Sequence, residues 1–132
     1  MPKDQVQDYA SEVAAVEATL QTYFDGLYEG DTGKLGHAFH PFAHLYGVGP
    51  DGKATDMPRE EWLKGVGSRA SAKSRGDERR DRIVSIDFNG PNAAFAKVEC
   101  QLPPRYFTDY LTLLKVEGRW QVIAKAYTTV TK

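Results

Sequence analysis

The spacing of apolar residues changes once along the chain, from a helical period in its first third to a strand period in its last third. Intervals of three or four residues separate a first set of apolar side chains: Tyr9, Val13, Val16, Leu20, Tyr23 and Leu27. Such intervals place side chains on one face of a helix. From Arg82 onward apolar and polar residues alternate, which is typical of strands with one buried face. Because helices come first and short turns join the later strands, the sequence predicts an α+β fold with an antiparallel sheet.

Helix-ending and turn-forming residues divide the chain into three helices and four to six strands. The first helix ends at Gly30, a second starts at Asp31-Thr32 and ends near Phe39, and a third begins at Pro58. His40-Pro41 ends the second helix, because a residue that precedes proline avoids the α region. The expected strands span residues 43–48, 82–88, 94–100, 106–116 and 120–129. The small, polar and charged residues at 68–81 predict a long loop or a frayed helix end.

The composition limits the class of protein. The chain has 132 residues, which predicts a single domain over residues 1–132 with an ordered core at about 8–130. A single cysteine excludes an internal disulfide and favours a reducing, cytoplasmic location. The net charge of −1 gives no reason to expect a nucleic acid or a membrane surface as partner. Met1–Gln5 lacks the apolar core of a signal peptide, and no apolar stretch is long enough to span a bilayer.

Several short motifs follow one another in an order that points to a known fold. They lie at residues 23–27 (YFDGL), 30–31, 38–41 (AFHP), 82–87, 94–99, 107–115 (FTDYLTLLK), 118–120 and 124–125. In this order they resemble the nuclear-transport-factor-2-like (NTF2-like) superfamily, which includes ketosteroid isomerases and SnoaL proteins, and in particular its branch named for lumazine binding. The resemblance covers roughly residues 10–128 and departs at Phe42, where the family often carries an acid. It implies a cone-shaped α+β barrel, with three helices packed on a curved, mostly antiparallel sheet, that usually forms a homodimer.

The last two strands predict a hairpin that brings charged residues together. A three-residue loop at Val116–Gly118 would pair Lys115 with Arg119, since glutamate disfavours the positive φ of a two-residue turn. This register pairs Asp109 with Lys125, Leu111 with Ile123 and Phe107 with Tyr127 on one side of the sheet. The opposite side then carries a second set of residues: Tyr110, Thr112, Leu114, Trp120, Val122, Ala124 and Ala126.

The resemblance implies that Asp109 and Lys125 point into the cone, because ketosteroid isomerases carry a catalytic acid on the corresponding strand. Asp109 would act as acid or base and Lys125 as its charge partner. The alternative is a structural ion pair that fixes the register of the hairpin. Asp109 in contact with bulk solvent would exclude the acid–base role.

Other polar candidates accompany this pair, and each has a structural alternative. His40, at a helix-to-strand junction, is expected at the cavity mouth as a catalytic residue or, alternatively, capping backbone groups at the proline turn. Glu99 would face Asp109 if Pro103-Pro104-Arg105 is a tight loop; otherwise it lies on an exposed outer face. Aromatic rings are expected to line the cavity, although core packing is the alternative for each of them. The predicted ligand-binding residues are Tyr23, Leu27, Tyr46, Trp62, Glu99, Phe107, Leu111, Ile123 and Tyr127.

Two classes of function fit this sequence. One is an isomerase, cyclase or dehydratase that uses proton transfer, and the other is a non-catalytic ligand-binding or accessory protein. The expected partners are a small molecule and a second copy of the chain, paired through the sheet face that carries Trp120 and Tyr110. No metal site is expected, because Pro41 breaks the helical spacing between His40 and His44, and no cofactor is implied. Six basic and three acidic residues at 69–82 indicate a solvent-exposed lid or edge that could favour an anionic ligand.

Overall fold

The computed structural model describes residues 9–132, which form four helices and one sheet of six strands. The helices are α1 (Tyr9–Glu29), α2 (Thr32–Ala38), α3 (Arg59–Gly67) and α4 (Ala72–Arg75). The strands are β1 (Phe39–Val48), β2 (Ala54–Pro58), β3 (Asp81–Asn89), β4 (Ala93–Leu102), β5 (Arg105–Val116) and β6 (Arg119–Thr131). The predicted α+β class is confirmed. Residue 8 of the expected ordered core and the Met1–Gln5 segment lie outside the described residues.

The sheet has the order β2-β1-β6-β5-β4-β3, and every neighbouring pair is antiparallel except β1 and β6. The chain crosses from one half of the sheet to the other through α3 and α4, which follow β2 and precede β3. The last strand, β6, therefore lies in the centre of the sheet. Side chains on β6 and on its neighbours β5 and β1 are thereby placed in the middle of the molecule.

The predicted apolar stripe of α1 forms one wall of the core. Val16, Leu20 and Tyr23 have no exposed surface. Gly26 lets α2 approach α1 closely, because a Cβ atom at this position would lie 2.8 Å from the Leu35 side chain. The Asp31 side chain accepts a hydrogen bond from the Lys34 amide and caps α2. None of the helices within residues 9–132 combines the length and the apolarity needed to cross a bilayer.

Three features differ from the sequence prediction, of which the first is β2, a strand with no counterpart among the expected ones. β1 begins at Phe39, so that His40-Pro41 lies inside a strand and not at the end of a helix. Proline is tolerated there because β1 pairs with β2 only from His44 onward, and its pairing with β6 is irregular between Phe39 and His44. The expected loop at 68–81 contains the short helix α4, whose first turn is capped by the Ser71 side chain.

The predicted register of the last hairpin is wrong. Its turn has two residues, Glu117 and Gly118, with φ values of +52° and +78°, so Val116 pairs with Arg119. Farther along, Thr112 pairs with Ala124 and Leu113 with Val122, which leaves Ile123 as an extra residue in a β-bulge. Leu111 therefore pairs with Lys125, and Asp109 with Tyr127.

The bulge also corrects the assignment of side chains to sheet faces. On the turn side of Ile123, Trp120 and Val122 point inward and are 3% and 0% exposed, although the prediction placed them outside. Beyond Ile123 the alternation is restored with Lys125 inside and Ala126 outside. Asp109 and Lys125 thus share the inner face as diagonal neighbours, not as a directly opposed pair.

Candidate functional site

A buried chain of hydrogen bonds joins three polar residues from α1, β5 and β6. Lys125 Nζ donates to the Tyr23 hydroxyl at 2.8 Å, and this hydroxyl donates to Asp109 Oδ2 at 2.5 Å. Lys125 Nζ lies 3.8 Å from the same carboxylate oxygen. Asp109 and Tyr23 have no exposed surface, and Lys125 is 5% exposed. We call this group the Lys125–Tyr23–Asp109 relay.

The second oxygen of the Asp109 carboxylate is not satisfied. Oδ1 is buried and has no hydrogen-bond partner among residues 9–132. Oδ2 in contrast accepts from Tyr23 and has the Cys100 thiol at 3.9 Å. An unpaired buried acceptor is costly, and such atoms are rare in folded proteins. Oδ1 is therefore free to accept a hydrogen bond.

Aromatic rings surround the Lys125 ammonium. The distances from Nζ to the ring centroids are 5.1 Å for Tyr127, 5.3 Å for Tyr23 and Trp62, and 5.9 Å for Phe107. Ring faces attract a cation, and they hold the long side chain in one orientation. This arrangement of rings, together with Asp109, accounts for the burial of a lysine in the core.

Lys125 borders a cavity of about 840 Å³ that lies between α3, the segment after it and the strands β4, β5 and β6. This volume is within the range of sites that bind small organic ligands. The cavity is lined by apolar and aromatic residues from the core and by basic residues nearer its mouth. The lining residues are Leu27, Gly30, Leu45, Met57, Glu61, Trp62, Gly65, Val66, Ser68, Arg69, Ala70, Ser71, Ala72, Arg75, Cys100, Leu102, Arg105, Phe107, Lys125, Tyr127 and Thr129.

Burial changes the acidity of the two neutral groups next to Asp109. Burial, the larger cause, and the negative charge of Asp109 together raise the pKa of the Tyr23 hydroxyl well above its usual value. The same two causes, in the same order, raise the pKa of the Cys100 thiol to about 12. Tyr23 therefore stays a neutral hydroxyl that can donate and accept hydrogen bonds, and Cys100 stays an unreactive thiol.

Most of the predicted site residues come together around this cavity. Leu27, Trp62, Phe107, Lys125 and Tyr127 line it. Tyr23 and Asp109 lie behind Lys125. Leu111 is fully buried on the inner face of β5, and Ile123 is the half-buried residue of the bulge. Leu111 belongs to the hydrophobic core, and neither of the last two residues lines the cavity.

Three predicted site residues lie elsewhere. His40 accepts a hydrogen bond from the Phe42 amide through Nδ1, as expected of a residue that caps the proline turn. Tyr46 is 43% exposed and stacks on His44, because Leu45 takes the inward position of β1. Glu99 pairs with Arg82 on the outer face. The Pro103-Pro104 turn sets a register in which Val98, not Glu99, faces Asp109.

Sequence reasoning missed two kinds of residue. It treated Tyr23 as a ring lining the cavity and gave its hydroxyl no partner, since nothing in the local pattern links position 23 to β5. It also left out Arg69 and Arg105 as cavity residues. For Arg69, the many basic residues at 69–82 were a sequence signal that could have indicated a place at the cavity. For Arg105 the sequence contains no such signal. No cluster of three or more histidine, cysteine, aspartate or glutamate side chains suited to a metal exists among residues 9–132.

Comparison with known proteins identifies the family. The model of the family described as "Putative lumazine-binding" matches residues 11–128. The chain belongs to this family. An NTF2-like protein from Shewanella baltica OS155 has a structure that matches with a TM-score of 0.85 and 30% identity, over 94% of this chain and 98% of that one. The fold is therefore the cone of the NTF2-like superfamily, a fold that binds small molecules.

Two further relatives bear on chemistry and fold. Aldolase FrzH from Cladobotryum sp is 25% identical over 120 residues, which are 89% of this chain and 91% of that protein. A ketosteroid isomerase-like protein from Erwinia carotovora atroseptica SCRI1043 matches with a TM-score of 0.70 and 16% identity, over 92% of this chain and 98% of that one. The second likeness concerns the fold alone.

Proposed function

We propose that the protein is an enzyme that binds a small carbonyl compound in the cavity and moves a proton on the carbon next to the carbonyl. The observation that carries the proposal is the direction of the relay, in which Lys125 donates to Tyr23 and Tyr23 donates to Asp109. Both hydrogen bonds point the same way. One proton can therefore pass along the relay without any side chain turning.

The relay gives Lys125 two forms. When Lys125 passes a proton to the Tyr23 oxygen and Tyr23 passes its own proton to Asp109, the ammonium–carboxylate pair becomes an amine and a carboxylic acid. A neutral pair is less costly than two charges in a buried site. Because Tyr23 itself keeps a high pKa, it transmits the proton and does not retain a negative charge.

The amine form is the base of the proposed reaction. Lys125 is the member of the relay that lines the cavity, so we assign its nitrogen as the group that meets a bound ligand. It takes the proton from the carbon, and the electron pair of the broken C–H bond forms the enolate. The new ammonium then donates a hydrogen bond to the enolate oxygen, which stabilises the charge that has developed there. Return of the proton to a different carbon completes an isomerisation.

One relative supports this chemistry without fixing the substrate. Formation of an enolate is the first step both of isomerisation next to a carbonyl and of aldol addition. The name of the Cladobotryum relative, an aldolase, is therefore consistent with a relay that forms enolates. We also infer that two copies of the chain pair through the outer face of the sheet, where Phe95 and Tyr110 are 40% and 49% exposed.

The test is exchange of carbon-bound hydrogen for deuterium. The protein is incubated in heavy water with 2-tetralone or 1-indanone, two apolar ketones small enough to enter the cavity, and exchange next to the carbonyl is followed by NMR. We expect exchange above the buffer rate, and we expect Tyr23→Phe and Lys125→Met to lower its rate by about 100-fold or more. Both substitutions keep the shape of the side chain and interrupt the relay.

The matched control is Glu99→Gln, which removes a carboxylate from the outer face and should leave the exchange rate unchanged. Near-ultraviolet circular dichroism shows whether each variant keeps its tertiary packing. Folded relay variants with the wild-type rate would contradict the proposal. A ketone that binds in the cavity without exchange would also contradict it and would favour a non-catalytic ligand-binding protein.

A further inference from the structure

The charges that line the cavity are unevenly distributed. Four basic residues border it, Arg69, Arg75, Arg105 and Lys125, against one acidic residue, Glu61. Lys125 is buried at the inner end, whereas the three arginines are exposed. The mouth of the cavity is therefore formed in part by guanidinium groups, while its inner walls are apolar and aromatic.

Two of the four basic residues already have a carboxylate partner. Lys125 Nζ lies 3.8 Å from Asp109 Oδ2, and Arg75 Nε forms an ion pair with Asp77 Oδ2 at 2.9 Å. Arg75 also donates to the Ala70 carbonyl at 2.7 Å, which fixes its guanidinium along the 69–82 segment. Neither side chain needs a ligand to balance its charge.

Arg69 and Arg105 have no such partner. Arg69 Nε donates to the Gly65 carbonyl at 3.1 Å, and the Arg105 guanidinium lies over the Phe107 ring at 5.7 Å from its centroid. Neither arginine forms an ion pair with a carboxylate within residues 9–132. Burial lowers the pKa of Arg69, and repulsion by the positive charges of Arg105 and Arg75 lowers it further.

The other arginines of the same segment are paired. Arg79 contacts Asp25 at 2.6 Å and Asp81 at 2.7 Å, Arg80 contacts Glu78 at 3.1 Å, and Arg82 contacts Glu99 at 2.8 Å. Carboxylates are therefore available along this part of the chain. Arg69 and Arg105, which line the cavity, have no carboxylate partner within residues 9–132. Two like charges that line the same cavity without a carboxylate partner form a site that favours an anion.

We propose that Arg69 and Arg105 bind the anionic group of the cavity's ligand, a carboxylate or a phosphate. The ligand's apolar body then lies against Trp62 and Phe107 and extends toward Lys125. The substrate class is thus a small organic anion with an aromatic or alicyclic body. This inference rests on the proposed function only in taking the same cavity as the ligand site, and it requires no catalysis.

Binding of matched probes tests the inference. We measure binding of 1-naphthoate, 1-naphthyl phosphate and the neutral 1-naphthamide to the whole protein by isothermal titration calorimetry. The anions should bind about tenfold more tightly than the amide, and increasing salt should weaken only the anions. Arg69→Gln and Arg105→Gln should each weaken anion binding by about threefold to tenfold and leave amide binding unchanged.

Arg80→Gln is the matched control, because it removes the same charge from the same segment at a residue that does not line the cavity. The inference is overturned if the anions bind no more tightly than naphthamide, or if neither anion binds at millimolar concentration. It is also overturned if Arg69→Gln and Arg105→Gln weaken binding of the anions and of naphthamide alike, or if Arg80→Gln weakens anion binding as much as they do. If the protein binds naphthoate through both arginines but does not catalyse ketone hydrogen exchange, the anion site is supported and the proposed catalysis is contradicted. If the protein catalyses the exchange but does not bind naphthoate through the arginines, only the catalytic proposal is supported.

Discussion

At the scale of single residues, the Cys100 thiol makes stability depend on alkaline pH. The folded protein raises its pKa from 9.0 to about 12, so between these values the unfolded chain loses a proton that the folded chain retains. The thiol's contribution is complete below pH 9 and decreases as the pH rises. We expect the free energy of unfolding to fall through this interval by up to ~4 kcal/mol. Urea unfolding at a series of alkaline pH values measures this change.

The Cys100→Ala variant separates this effect from general alkaline unfolding. It removes the titrating thiol, so its stability should decline less steeply with pH, although Tyr23 still contributes a decline of the same sign. At neutral pH the variant should be less stable by ~1 kcal/mol, because a small buried group is lost. Equal slopes for the two proteins would show that the thiol does not retain its proton in the folded state.

The same residues show what sequence reasoning reaches at this scale. Alternation along the strands placed Asp109 and Lys125 on the same side of the sheet, and the family resemblance alone indicated that this side faces inward. The role of the Tyr23 hydroxyl could not, since it depends on a contact between residues 86 positions apart. Local periodicity identifies which face a side chain occupies and not which distant polar atom it meets.

At the scale of elements, the turn between β5 and β6 offers a stabilising substitution. Glu117 has a φ of +52° and is exposed, and such a backbone conformation favours asparagine or glycine over glutamate. Glu117→Asn should therefore raise the free energy of unfolding by about 0.5–1 kcal/mol, as measured by chemical denaturation. Gly118→Ala, at a φ of +78°, should lower it by about 1 kcal/mol. Loss of stability in Glu117→Asn would instead support the three-residue loop.

A second prediction concerns the contact of α1 with the last hairpin. The Glu12 carboxylate accepts from Lys115 Nζ and from Trp120 Nε1, both at 2.6 Å, and these bonds lower its pKa below 4.5. Its contribution is present above that pH and is lost as the pH falls. Glu12→Gln should cost about 1 kcal/mol at neutral pH and show a smaller loss of stability toward acid. Glu17→Gln, exposed on the same helix, is the control and should change neither quantity.

The helices α1 to α3 and five of the six strands were predictable to within a few residues because their apolar periods are local. The exposed strand β2 and the four-residue helix α4 have no such period and were not predicted. The β-bulge was not, because Ile123 continues an apolar stretch and carries no glycine or other sign of an extra residue. Its effect is large, since it moves Trp120 and Val122 to the inner face. The prediction made two errors in the pairing of β5 with β6, each of one residue: a turn that was one residue too long and a bulge that was left out. Together they shift the pairing by two residues, which leaves each side chain beyond the bulge on the same face, so Lys125 was still placed correctly.

At the scale of the whole molecule, the two faces of the sheet have different surroundings. The inner face of the central strands packs against α1, α2 and α3 and borders the cavity. On the outer face, Phe95 of β4 and Tyr110 of β5 are exposed with their ring centroids 5.4 Å apart, and Lys97 lies over the Tyr110 ring. Neighbouring exposed rings of this kind are typical of a surface that another protein covers.

The proposed homodimer can be tested with one charge at this surface. Sedimentation equilibrium should find the wild-type protein as a dimer and Tyr110→Arg as a monomer. The new guanidinium lies beside Lys97, and in a symmetric dimer each copy would bring the same two positive charges into the interface without a counter-charge. Ala18→Arg introduces the same charge on the exposed side of α1, which packs on the opposite face of the sheet, and should leave the dimer intact. Tyr110 is on the outer face, so monomeric Tyr110→Arg should still bind naphthoate. A monomeric wild-type protein, or a dimer that survives Tyr110→Arg, would place the interface elsewhere or exclude it.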